Sequence, residues 1–153
     1  MKDDKSKSKS KSKSEVTILN ELNIGIKMGM DSISNVLESV KDDNFKKILL
    51  EQYNKYNEIL NKVDKKLQTF DKVPKDLPVM QKAMGFIEVK MNTTSDNSIS
   101  HIAEMMLQGT NMGIIKGIKL LHNNPDMDKT IQNILNEFVD YQEKCMETLK
   151  EYL

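Results

Sequence analysis

Gly25-Ile-Lys-Met-Gly29 and Gly109-Thr-Asn-Met-Gly113 are one pattern, G-x-x-M-G, written twice, 84 residues apart. Each copy sits inside a long stretch with the apolar period of a helix. Around the first, residues 15–41 place Leu19, Leu22, Ile26, Ile33, Leu37 and Val40 on one face. Steps of three and four between apolar positions mark an amphipathic helix. Around the second, in the segment 98–121, residues 102–121 are apolar or small except at six positions, which predicts a helix buried on more than one side.

Each of these stretches is followed by another. Residues 43–69 carry Phe45, Leu49, Tyr56, Ile59, Val63 and Leu67, and residues 127–152 carry Ile131, Leu135, Phe138, Cys145, Leu149 and Tyr152. Leu49, Leu50, Tyr53, Tyr56 and Glu58 match Ile134, Leu135, Phe138, Tyr141 and Glu143 at an offset of 85. The turns, Lys41-Asp-Asp-Asn44 and His122-Asn-Asn-Pro-Asp126, are short enough to make each pair an antiparallel hairpin. Between the hairpins, residues 70–97 contain a shorter helical pattern at Met80, Met84, Ile87 and Met91. No segment alternates with the period of a strand. The expectation is an all-α, ferritin-like four-helix bundle: two similar helical hairpins, read as an internal duplication, joined by a long crossover containing a shorter helix.

The chain has 153 residues, 23 Lys, no Arg, 23 acidic residues and one Cys. A generally basic nucleic-acid binder, a disulfide scaffold and a membrane-spanning chain are excluded on that composition. The charge is not evenly spread. Residues 1–14 are a Lys-Ser run with six Lys and two Asp, leaving 17 Lys and 21 acids for the remainder. With no apolar residue after Met1, residues 1–14 are expected to form a disordered tail, and residues 15–153 a single domain. Residues 2–13 offer a weak contact to nucleic acid or an anionic surface. No apolar run follows the basic start, so the cytoplasm is the expected location.

All six glycines fall inside expected helices, Gly85 in the crossover. Each costs about 1 kcal/mol relative to Ala there, so something must offset the cost. Two readings follow. Gly25, Gly29, Gly109, Gly113 and Gly117 let backbones approach closely, with the first and third helices crossing near Gly29 and Gly113; or they clear room for a ligand. The packing reading is preferred, since small residues four apart are a known device for close helix approach.

A di-iron bundle needs a Glu from each of two helices and Glu-x-x-His from each of the others. Glu51, Glu58, Glu137, Glu143 and Glu147 all lack that His, and the chain has two His in all, His101 and His122. A symmetric di-iron site, or any cofactor, is therefore not expected. His101 and Glu104 lie one helical turn apart and are the candidate metal ligands, with carboxylates of other helices. The alternative is a first-turn pair with Ser98 as the helix cap. Cys145 falls on the core face, where a thiol behaves as a small apolar group.

Lys90-Met-Asn92 followed by Ser100-His-Ile-Ala-Glu-Met-Met-Leu-Gln-Gly-Thr-Asn-Met-Gly113 resembles a segment of uncharacterised ferritin-like four-helix-bundle proteins of anaerobic bacteria. The family carries K/Q-M-N and then S-H-I-A-E-M-M-x-Q-G-x-x-M-G. The resemblance spans residues 15–153 and implies the same bundle, with Lys90, Asn92, His101 and Glu104 together near one end. It implies no activity. The combined expectation is a non-enzymatic, self-associating bundle with a structural or stress-related role. The alternative is a metal-binding oxidoreductase or storage protein.

Overall fold

A computed structural model of the chain describes residues 2–71 and 98–153. The expected crossover helix, with Gly85, Lys90 and Asn92, lies outside the described residues. Four helices make up the rest: α1 (Lys2–Leu37), α2 (Asp43–Gln68), α3 (Ile99–Asn123) and α4 (Lys129–Lys150).

Helix starts follow from capping side chains, which satisfy backbone N–H groups that have no partner within the helix. Asp42 accepts from the Phe45 N–H at 2.8 Å. Asp128 accepts from Thr130 and Ile131 N–H. Ser98 accepts from the His101 N–H at 3.2 Å. The chain leaves α2 through Asp71, whose φ of 55° is a left-handed conformation that Asp tolerates.

Each helix is buried along the face its period marks. Phe45, Leu49, Tyr56, Ile59, Val63 and Leu67 of α2 are all buried, as are Ile131, Leu135, Phe138, Cys145 and Leu149 of α4. In α1, Leu37 is half-buried because the helix ends on it, and Val40 packs into the core from the following turn. α1 is also buried on a second side at Asn20, Asn23 and Ile24.

The two hairpins pack chiefly within themselves, α1 on α2 and α3 on α4; α2 then lies against α4 and α1 against α3. Phe45 and Tyr152 rings stack 4.8 Å apart at one end of α2 and α4. Lys66 and Asp128 pair at 3.3 Å at the other, so these two helices run antiparallel. The result is a ferritin-like, all-α four-helix bundle.

α1 begins at Lys2 and carries the Lys-Ser run as helix. Lys is a good helix former. Once Glu15 and the apolar face beyond it supply the nucleus, each further residue adds at little cost. Glu15 is buried and accepts from the Asp128 N–H at 3.1 Å, while Ser14 donates to Asn124 at 3.1 Å. A two-residue step turns about 200° round a helix, so Lys5, Lys9 and Lys13 fall within about 80° of one another, with Lys7 and Lys11 on the opposite side.

Candidate functional site

Where α2 and α4 cross, the apolar stripe is interrupted. Gln52, Tyr56 and Gln142 are buried there, with Thr110 of α3 beside them. The Gln52 amide donates to the Tyr56 hydroxyl at 2.8 Å, and that hydroxyl donates to Gln142 Oε1. Thr110 donates to the Met106 carbonyl at 2.8 Å and is also within hydrogen-bonding reach of the phenol. Burial pushes the Tyr56 hydroxyl well above its ordinary pKa, and the nearby Cys145 adds to this. The phenol is therefore neutral, as are all its polar neighbours. Buried polar groups with such mutual bonds fix a unique core arrangement, because any slip leaves one unpaired.

The glycines close over this seam. A Cβ on Gly29 would lie 2.9 Å from the Tyr56 ring, and one on Gly113 would lie 2.5 Å from Gln142 Nε2. One on Gly117 would lie 2.5 Å from Val139. The close approaches at Gly29 and Gly113 are thus within each hairpin, α1 on α2 and α3 on α4. This differs from the expected crossing of α1 on α3, and the reason is that the ring and amide of the adjacent helix occupy the space. Gly25 and Gly109 differ again: among the described residues a Cβ on either would meet nothing within 4 Å. Between α1 and α3 these two glycines wall a slot of about 220 Å³, bordered by Met28, Met105 and Met112, with Tyr56, Phe138 and Gln142 also lining it.

Ile18, Leu19, Leu22, Gly25 and Gly29 of α1 answer Ile102, Ala103, Met106, Gly109 and Gly113 of α3, 84 residues on. In α2 and α4 the buried faces correspond at 86 rather than 85: Phe45 with Ile131, Leu49 with Leu135, Tyr56 with Gln142, Val63 with Leu149. The capping residues Asp42 and Asp128 obey the same offset. Tyr56 lies beneath Gly29 and Gln142 beneath Gly113, and the two are bonded to each other.

His101 is half-buried and Glu104 is exposed at the start of α3. Among the described residues no three His, Cys, Asp or Glu are grouped so as to hold a metal ion. Among the described residues, the donors gathered at this seam, two amides, a phenol and a hydroxyl, do not fit a di-iron centre, which requires carboxylates and imidazoles. Cys145 is buried, and burial pushes its thiol up to about 11, against a smaller opposing contribution from Tyr141. Periodicity missed Gln52, Thr110 and Gln142. The signal for two of them was present in Leu49-Gln52-Tyr56 and Phe138-Gln142-Cys145, where the polar residue keeps the apolar spacing.

Two solved structures share this fold. The bacterioferritin-related protein of Bacteroides fragilis, described as a dodecameric thioferritin, matches with a TM-score of 0.76 at 12% identity over 92% of this chain and 84% of its own. A DUF305 fragment from Deinococcus radiodurans matches with a TM-score of 0.71 at 12% identity over 90% of this chain and 93% of its own. No family model and no curated protein matches the sequence. At such identity the likeness is one of fold.

Proposed function

We propose that the chain is a non-enzymatic, self-associating bundle of the cytoplasm with a structural or stress-related role, built from a duplicated helical hairpin. The observation that carries self-association is on α3. Met112 and Ile115, in the middle of that helix, are 49% and 47% exposed, and large apolar side chains at such positions are well placed to be covered by another copy. The dodecameric state named for the Bacteroides fragilis protein supports the same reading. The 84- and 86-residue correspondences support the duplication.

Light scattering on the full chain after size exclusion tests self-association. An oligomer that Met112→Lys with Ile115→Lys dissociates is the expected result. A monomer at high concentration would remove the proposal.

A metal-binding or storage role is the second reading, favoured by the ferritin-like fold of the neighbour. It would rest on His101, Glu104 and carboxylates of other helices. Metal content of protein purified without chelator, compared with His101→Ala, decides it: stoichiometric iron, manganese or zinc lost in the variant would displace the structural reading.

A further inference from the structure

We propose that the Lys-Ser turns of α1 form an arm that lies in the major groove of double-stranded DNA and holds it without regard to base sequence. α1 passes the turn between α3 and α4 at Ser14 and Glu15, which bond to Asn124 and to the Asp128 N–H. The helix runs on from there to Lys2, about 18 Å at 1.5 Å per residue. Lys5, Lys7, Lys9, Lys11 and Lys13 are all exposed along it, and Lys11 meets Glu15 only at 4.0 Å. The positive charge is confined to this arm. Residues 1–14 hold six Lys and two Asp, while the rest of the chain holds 17 Lys against 21 acids. A polyanion is therefore attracted by the arm and repelled by the net charge of the bundle.

The placing of the lysines decides which polyanion fits. Lys5, Lys9 and Lys13 form one row, and Lys7 and Lys11 a second row on the opposite side. Within each row like charges stand four residues apart, where they repel; anions alongside relieve that repulsion. A flat membrane surface reaches one row at a time, and the arm has no apolar face to enter the lipid. A groove with an anionic wall on each side reaches both rows. The major groove of B-DNA is about 12 Å wide and admits a helix of about 10–12 Å diameter. In duplex RNA that groove is deep, narrow and closed to side chains. The arm has no Arg, Asn or Gln to pair with base edges, so its contacts are to phosphates, which position the protein but do not read sequence.

The test is fluorescence anisotropy of a labelled DNA duplex titrated with the full chain between about 50 and 200 mM salt. Binding should weaken as salt rises, with a log–log slope of about −4 to −5 for one arm with its five exposed lysines in contact. Lys7→Gln with Lys11→Gln should make the slope shallower by about 2, and Lys5→Gln with Lys9→Gln and Lys13→Gln by about 3. Gln has a helix propensity close to that of Lys, so these variants keep the helix and remove the charge. Substituting all five should abolish binding. No binding at the lowest salt, undiminished binding by the fivefold variant, an effect confined to one row, equal binding of duplex RNA, or stronger retention on phosphatidylglycerol vesicles than on DNA would each overturn the proposal. Self-association is read separately by light scattering, so failure here leaves that reading standing.

Discussion

Tyr56 of α2 and Gln142 of α4 lie 86 residues apart, and the phenol of one donates to the amide oxygen of the other. Gly29 and Gly113 mark the same seam from outside, each bare where the partner's ring or amide needs room. Packing, hydrogen bonding and the glycine pattern thus converge on one location.

The glycines should separate into two classes on substitution by Ala. Gly25→Ala and Gly109→Ala place a methyl where no described residue lies within 4 Å and should raise stability by up to about 1 kcal/mol each. Gly113→Ala must displace Gln142, and Gly117→Ala must displace Val139, whose branched side chain has little rotamer freedom. Both should lower stability, by about 1–3 kcal/mol. Urea denaturation of the four variants checks the ordering.

Asp42→Ala and Asp128→Ala should each cost about 1 kcal/mol, the usual effect of removing a helix cap. Asp128 also pairs with Lys66, so its variant should be the more damaging. Thermal denaturation at matched pH measures both.

Acid should weaken the link between α2 and α4. The Lys62 hydrogen bond is the main cause that holds the Glu137 carboxyl below its ordinary pKa; burial opposes it, and Lys55 adds to it. A carboxylate depressed in the folded state contributes stability that is present above its unfolded pKa and lost as pH falls through the folded value. The loss should begin below about pH 4.5, the ordinary range for Glu. Glu137→Gln should be less stable than wild type at pH 7 and lose less on acidification. Unfolding free energies at pH 7 and in mild acid check the sign.

Cys145 should be inert in the folded chain. With its thiol pushed up to about 11 by burial, little thiolate forms at pH 8. Reaction with a thiol-specific reagent should be slow in buffer and complete on addition of denaturant. Equal rates in the two conditions would place the thiol at the surface.

The bundle was legible because its apolar spacing is regular. The stripe from Phe45 to Leu67 is buried at every position the period marks, and Asp42 and Asp128 start helices as capping chemistry requires. The polar seam was not legible, because Gln and Thr in a helix are ordinarily solvent-facing. Only the position of Gln52 and Gln142 within an apolar stripe distinguishes them. The offset of 85 came from chemical likeness, such as Tyr56 with Tyr141; the buried face instead sets Tyr56 with Gln142. Tyr141 sits beside the seam, its ring meeting Tyr56 edge-on at 6.0 Å.

The central claim is that Tyr56 and Gln142 join the two hairpins at their seam. A double-mutant cycle of Tyr56→Phe and Gln142→Leu, read by urea denaturation, tests it most directly. A coupling of about 1–2 kcal/mol is predicted, each single substitution leaving the other group buried and unpaired. Additive effects of the two substitutions would contradict the account.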